Sequence, residues 1–345
     1  MLASIVVVDW KQPELTRRCL DSLVRQEGAE KTEIVLVVNE ASADDVAAYR
    51  SEFPAVRVVP VAHNAGFAGG VAAGAAVSDS DVIVLVNNDA VALPGFLRSG
   101  LSALERGGPG LAAVAGTAVL EGTFAPTSVQ SDDQLVGLDG QRWSRAGTSA
   151  GVTLLNGTGV EVTRDGNGFD RDWLTPVPAV DVAGLDRPRD PFGFSGGAVF
   201  LRREALDGVG GFDESLFMYY EDLDVAWRLR LAGFGIGWSS DAIVVHRHAG
   251  SSSSNGGLVR YQSMRNRLAV SLRVGSPALR VRVVLRTAAR LVRDVLPGPD
   301  RQLSRRQWAH LLGELPRLAA HASRRRRADG FSAADRRRVE ALLLP

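Results

Sequence analysis

The stretch Gly210 to Gly233, GGFDESLFMYYEDLDVAWRLRLAG, sets three acids behind an aromatic lead. The acids are Glu221, Asp222 and Asp224, and the lead is Phe217-Met218-Tyr219-Tyr220. Val225, Ala226, Leu229 and Ala232 then recur as one apolar helix face, and Gly233 suits the C-cap. Carboxylates half-enclosed at a helix start suit a general base. Acids in a first turn also cap free N–H groups and favour the helix dipole, so the spacing leaves both readings open. Tyr219, Tyr220 and Trp238 add aromatic rings near this stretch, with core packing the expected role of Trp238.

Asp89 ends a buried apolar run, with Asn87 and Asn88 beside it. A carboxylate there can hold Mg²⁺ or Mn²⁺ against a diphosphate, because hard cations take oxygen ligands and share their shell with phosphates. The same triplet also suits a tight turn. His246 ends a short strand pattern as Asp89 does, and its imidazole can complete a metal shell with it; His248 is the weaker candidate. Asn64-Ala-Gly-Phe-Ala-Gly-Gly lacks the Gly-Lys-Ser/Thr ending of a P-loop. It can still bring backbone close to a nucleotide or sugar before opening a helix.

The elements that carry these groups alternate regularly. Apolar runs at 2–8, 33–38 and 81–86 read as strands buried on both faces, and 56–61 reads as a further strand. Helix patterns fall at 13–26, 42–53 (with Ser42 as N-cap), 70–78 and 94–106, and a strand returns at 111–120. This alternation predicts an α/β fold with a mostly parallel sheet covered by helices on both faces. Ligands then belong beyond the carboxyl ends of the strands, where residues 8–10, 39–45, 63–70 and 87–89 lie. Residues 121–191 break the pattern and read as a loop-rich insertion with a small hairpin at 151–163. Residues 192–202 resume the sheet, a helix spans 221–232, and 236–238 and 242–246 read as short strands. Helix patterns follow at 258–273, 277–296, 303–325 and 332–344.

Composition narrows the classes. The single cysteine, Cys19, excludes an internal disulfide framework and a cysteine-based zinc site. No run of 18 apolar residues occurs, which predicts no transmembrane helix, and the N-terminus reads as a strand rather than a signal peptide. The net charge of +1 hides an asymmetry: residues 260–345 hold 20 arginines and 6 acids. An acidic body, 1–257, followed by a basic helical region, 258–345, suggests two jobs. A basic amphipathic helix reads as a membrane-surface element, against the alternative of a helical extension packed on the body. Nucleic acid is the weaker partner, since no aromatic interleaving or zinc motif accompanies the arginines.

Taken in order, the strand-end motifs, Ser195-Gly196-Gly197, Gly211-Phe212-Asp213-Glu214, Glu221-Asp222-Leu223-Asp224 and the late His246 resemble family 2 glycosyltransferases with the GT-A fold. Within these the chain is similar to the bacterial rhamnosyltransferase-like branch that builds cell-wall and surface polysaccharides. The resemblance covers residues 3–255 apart from the insertion. It implies an inverting, metal-dependent transfer from a nucleotide-sugar donor to a glycan or polyprenyl-linked acceptor, in the cytoplasm and at the inner face of the membrane. It assigns Asp222 as catalytic base and Asp89 with His246 as metal ligands for Mg²⁺ or Mn²⁺. It further implies donor contacts from Asp9, Asn39, Asn64, Gly66 and Asn88, and acceptor contacts from Gly196, Gly197, Tyr220 and Glu221. Asn39 replaces the usual aspartate, and Glu40 and Val71 replace usual asparagines. These departures motivate an alternative, a sugar-nucleotide or glycan-binding relative without turnover. A nucleotidyltransferase is disfavoured, because no glycine-rich basic loop follows the first strand.

Overall fold

A computed structural model describes residues 2–28, 31–129, 131, 134–147, 151–177, 190–247, 256–296 and 301–345. In chain order the first half runs β1 (Ala3–Asp9), α1 (Pro13–Leu23), β2 (Thr32–Asn39), α2 (Ala43–Glu52), β3 (Val56–Val61), α3 (Gly66–Ala76), β4 (Val82–Val86), β5 (Ala90–Ala92), α4 (Phe96–Arg106) and β6 (Leu111–Leu120). The insertion supplies β7 (Thr123–Pro126), β8 (Leu135–Val136), β9 (Arg142–Ala146), β10 (Thr153–Gly157), β11 (Val160–Val162), β12 (Gly168–Asp170) and β13 (Pro176–Val177). Then come β14 (Ala198–Arg202), α5 (Arg203–Gly208), α6 (Glu221–Leu231) and β15 (Gly235–His246). Four helices close the chain: α7 (Gly256–Val274), α8 (Pro277–Val295), α9 (Arg305–Asp329) and α10 (Ala333–Glu340).

The main sheet is ordered β13-β10-β6-β14-β4-β1-β2-β3, with β15 beside β6 and β5. Strands β3, β2, β1 and β4 are parallel, as the alternation predicts. Their side chains divide between two buried layers. Ile5, Val7, Leu36 and Val84 meet α1, α2 and α4, while Val6, Val35, Ile83 and Leu85 meet α3, α5 and α6. Burial on both faces is what a continuous apolar run requires.

Several expectations are corrected. Residues 192–202 yield only β14, and it lies antiparallel between β4 and β6. The two short strands near 240 are one strand, β15, whose register shifts between Trp238 and Ile243. Helix α3 begins at Gly66 rather than 70, because small residues let its first turns press on β1. A Cβ on Gly70 would sit 2.5 Å from a Val8 methyl. No hairpin joins 151 to 163. Strand β10 instead pairs with β6 and β13, extending the main sheet, while β11 pairs with β12. The insertion is thereby built into the body.

Helix α6 is also more buried than its one-faced pattern suggests. Val225 and Leu229 face the sheet, and Leu223, Trp227 and Leu231 face Leu268, Val274, Leu318 and Val339 of the C-terminal helices. A helix apolar on both sides belongs between two layers. Its polar positions are absorbed by a buried ion network. Arg228 pairs with Asp224 one helical turn before it, at 2.7 Å. Arg273 of α7 reaches the same Asp224 at 3.0 Å, together with Asp213 and Asp329. Burial works against the Asp213 carboxylate, but hydrogen bonds from Ser215 and His321 outweigh it and bring its pKa to about 2. Part of the C-terminal basic charge, Arg273 above all, is therefore spent inside the molecule.

Candidate active site

A cavity of about 320 Å³ opens beyond the carboxyl ends of β1, β2 and β4. It is lined by Trp10, Asn39, Asn64, Gly66 and the Asn87–Asp89 turn from the first half of the chain, and by Ser195–Gly197 and Phe217–Asp222 from the second. Of the twelve site residues expected from sequence, ten line it, leaving out Asp9 and His246.

His246 is brought to Asp89 by sheet register, since β15 runs antiparallel to β5 with His246 opposite Ala90. Its Nε2 lies 2.9 Å from Asp89 Oδ1, and its Nδ1 lies 2.8 Å from Asn156 Oδ1. With Nδ1 donating to the amide oxygen, the Nε2 lone pair faces a carboxylate oxygen. Two electron-rich atoms this close need a cation between them, a proton or a metal. The donor set fits Mg²⁺ or Mn²⁺ sharing its shell with substrate phosphates, with Asn156 orienting the imidazole from behind. Among the described residues, no group of three or more His, Cys, Asp or Glu side chains forms a closed metal cage. His248 lies outside the described residues.

In the same cavity, Asp222 accepts from the Gly196 N–H at 3.0 Å through Oδ2 and from the Leu223 N–H at 2.7 Å through Oδ1. Burial raises its pKa above the ordinary carboxylate range against the pull of these N–H groups. Gly196 is needed at this spot, because a Cβ there would sit 2.7 Å from the Phe67 ring. Gly197 packs beside Asn87 and accepts its N–H at 3.2 Å. Glu221 is only 5% exposed, and its Oε2 has no hydrogen-bond partner among the described residues. Burial and neighbouring Asp222 push its pKa well up, which favours the neutral acid. The Tyr220 hydroxyl accepts the Gly168 N–H at 3.2 Å, tying the aromatic lead to the insertion.

That lead is conformationally strained. Phe217, Tyr219 and Tyr220 have φ of 62°, 64° and 69°. Phe217 centres a tight turn closed by the Met218 N–H on Leu216 O at 2.7 Å, the positive-φ γ-turn that is rare in proteins. Non-glycine residues in such regions cost about 1–3 kcal/mol each, and persist only where the surroundings hold them. Two groups do so. Gly66 lets the Phe217 carbonyl approach so closely that a Cβ would lie 2.3 Å from its oxygen, and the Ala68 N–H donates to that carbonyl at 3.0 Å. Fully buried Asn266 of α7 aims its Nδ2 at Leu216 O, Met218 O and Tyr219 O, at 2.7, 2.9 and 2.7 Å.

The donor-side expectations need revision. Asp9 is 3% exposed and lies behind the wall. Its carboxylate accepts from Thr16, Tyr49 and Asn88, so it positions Asn88 rather than meeting a ligand. Asn39 borders the cavity, but its amide is committed: Nδ2 donates to Gly66 O and Oδ1 accepts from the Ala65 N–H. It braces the start of α3 and has little left for a nucleobase. Asn64 accepts the Gly66 N–H at 2.9 Å. Val71 is fully buried in the core, so its departure from the family pattern does not touch a ligand. Glu40 is paired with Lys11 and the Trp10 indole at the rim. Trp238 donates to Thr117 and takes a structural role away from the cavity.

Sequence reasoning missed five contributors. Trp10 is 41% exposed at the mouth. Leu258 and Val259 of α7 complete the wall. Asp170 on β12 lines a smaller adjoining cavity with Asn156 and His246. Burial raises its pKa to about 7, helped by Asp222 and opposed by His246. No local signal marks Asp170, because the insertion's pairing brings it there. Asn266 left a faint one, a short amide within a helix pattern.

Comparison with known proteins follows this geometry. Residues 4–175 match the family described as glycosyl transferase family 2. A stretch of 69 residues is 42% identical to the N-acetylglucosaminyl-diphospho-decaprenol L-rhamnosyltransferase of two Mycobacterium tuberculosis strains. That match spans 20% of this chain and only 22% of the curated relatives' length. Among solved structures, GalNAc-T7 with UDP, GalNAc and Mn²⁺ superposes over 94% of this chain and 54% of its own, with a TM-score of 0.59 and 13% identity. S. aureus TarS does so over 99% and 90%, at 0.52 and 15% identity. The Pyrobaculum calidifontis mannosyltransferase PcManGT, in complex with GDP-Man and Mn²⁺, does so over 98% and 86%, at 0.50 and 15% identity. At these identities the likeness is one of fold, and that fold is GT-A.

Two outcomes follow from the geometry. Asn266→Ala and Asn266→Asp, which leave the three carbonyls without their donor, destabilise the chain by about 1–3 kcal/mol. They also lower kcat with little change in donor KM; wild-type kcat in both variants would contradict the clamp. Asp170 carries a folded pKa above its unfolded value, so its stabilising contribution is full in acid and lost as pH rises toward 7. The stability gained in Asp170→Asn therefore grows between about pH 4 and pH 7 and is flat above, by urea titration across pH. A gain that shrinks with pH would reverse the assignment.

Proposed function

This chain is a glycosyltransferase of family 2 with the GT-A fold, and we propose that it transfers a sugar, with inversion, from a nucleoside-diphosphate donor to a glycan or polyprenyl-linked hydroxyl. The observation that carries this reading is one cavity lined by both Asp222 and Asp89. The partial likeness to a decaprenol-linked rhamnosyltransferase supports rhamnose as the sugar and cell-wall or surface polysaccharide as the product.

In the proposed step the acceptor oxygen attacks the anomeric carbon as the carbon–oxygen bond to the diphosphate breaks. The acceptor proton passes to Asp222. Burial makes that carboxylate a stronger base than one in water, and the Gly196 and Leu223 N–H groups fix its orientation. Glu221, held toward its neutral form, can donate to an acceptor oxygen. Tyr219 and Tyr220 wall the acceptor side, and the exposed Trp10 ring offers a stacking face at the donor side. Asp89 and His246 would hold the divalent metal, which when bound neutralises charge on the departing diphosphate. GalNAc-T7 and PcManGT were solved with Mn²⁺, which supports that choice.

A polyprenyl-linked acceptor lies in a bilayer. No helix among the described residues is long and apolar enough to cross a membrane. We therefore place the enzyme peripherally on an anionic membrane surface, through its C-terminal basic helices.

Removing the proposed base tests the mechanism. Asp222→Asn lowers kcat by about 10²–10⁴, while calorimetric binding of the nucleoside diphosphate with Mn²⁺ is retained. Wild-type turnover in that variant would refute the role of Asp222. A panel of nucleotide sugars identifies the donor, with dTDP-rhamnose expected to turn over.

A further inference from the structure

Helix α8 has two unlike faces. Leu279, Val283, Thr287 and Asp294 are buried against the rest of the chain. On the other side, Val281, Val284, Leu285, Val292, Val295 and Leu296 are 58, 45, 64, 60, 45 and 57% exposed. At 100° per residue these six, with Ala288 and Ala289, fill a continuous apolar arc of roughly 140°. A row this long at i, i+3 and i+4 spacing, turned outward, is unlike scattered surface hydrophobes.

The charges around that arc have one sign. Arg280, Arg282, Arg286, Arg290 and Arg293 share the helix with a single acid, Asp294. Asp294 is 1% exposed and accepts from the Trp308 indole and the Gln302 and Leu303 N–H groups, so it presents no charge outward. Arg282 and Arg286 also grip the turn after β11, at Arg164 O and Asp165, yet both stay exposed, and Arg164 adds a further exposed cation. Other helices expose arginines too, Arg305, Arg306, Arg317, Arg324 and Arg327 on α9 and Arg337 on α10, but among the described residues the only large exposed apolar side chain on those two helices is Leu312. Three further arginines are committed inward. Arg273 binds Asp329, Arg326 donates to Arg273 O and Gly275 O, and Arg336 donates to Val274 O.

We propose that α8, through the face Val281–Leu296, is the element that docks this enzyme on an anionic lipid surface, lying in the plane of the headgroups. The arc would enter the headgroup boundary while the flanking arginines meet lipid phosphates. Charge selects this occupant over a second copy of the chain, because two such faces brought together would oppose arginine to arginine. The inference rests on the peripheral placement proposed above and narrows it from four helices to one face.

The test uses the full chain and vesicles of phosphatidylcholine with or without phosphatidylglycerol. Wild type is expected to sediment with the anionic vesicles, less so at high salt, and not with the neutral ones. Leu285→Glu/Val292→Glu, both at exposed positions, is expected to weaken vesicle binding about tenfold or more, with an unchanged thermal unfolding midpoint. Its rate on a water-soluble acceptor should equal wild type. The inference is overturned if wild type ignores anionic vesicles, or if the double variant binds them equally. It is also overturned if α8 instead mediates a dimer in sedimentation equilibrium that the double variant dissolves. Absence of transfer by wild type would refute the functional reading and leave the vesicle result standing, so the two failures are separable.

Discussion

The site depends on a backbone that would not hold its shape alone. Phe217, Tyr219 and Tyr220 occupy positive φ immediately before α6. Their strain, of order several kcal/mol together, is offset from both sides. Gly66 and Ala68 of the first half take the Phe217 carbonyl, and Asn266 of α7 takes three carbonyls around it. This turn aims the first residues of α6 into the cavity. Relaxation to ordinary φ would redirect the chain before Glu221 and Asp222. The clamp also explains why distant parts of the sequence must fold together before the cavity exists.

Electrostatics follow the same division. The base of α6 is pinned by ions that are buried and paired, Asp224 with Arg228 and Arg273. Its mouth is lined by carboxyls whose pKa values burial pushes upward, Asp222, Glu221 and nearby Asp170. Pairs of acids in one low-dielectric pocket cannot all stay charged cheaply, so one tends toward the neutral form while another keeps its basicity. Such a partition suits a proton acceptor beside a hydrogen-bond donor. Arg273 also shows why the charge asymmetry of the sequence misleads as a count: arginines from the last quarter of the chain neutralise acids of α6 and its lead.

The parallel half of the fold was legible because both layers of a covered sheet leave continuous apolar runs, and 2–8, 33–38 and 81–86 are such runs. The Asp89–His246 meeting was legible because Asp89 lies in the turn after β4 and His246 closes β15. What escaped was whatever depends on pairing at long range. Nothing local says that β10 joins β6, so Asn156 and Asp170 read as loop residues. Helix α6 was read with one apolar face, since Leu223, Trp227 and Leu231 acquire meaning only once α7–α10 cover them. Asp9 and Asn39 were placed at the ligand by position, but their short polar side chains are used up by neighbours, Thr16, Tyr49 and Asn88 in one case and the start of α3 in the other. A polar residue at a strand end can serve the ligand or the loop that holds it, and sequence does not separate the two.

The most direct test of the account is a crystal structure with a nucleoside diphosphate and Mn²⁺, read by anomalous scattering at the manganese edge. The account predicts a manganese peak within coordinating reach of both Asp89 and His246, the diphosphate in the same cavity, and the Asp222 carboxylate facing the space left for an acceptor. Manganese away from Asp89 and His246, or a nucleotide bound outside the cavity that Asp222 lines, would contradict it.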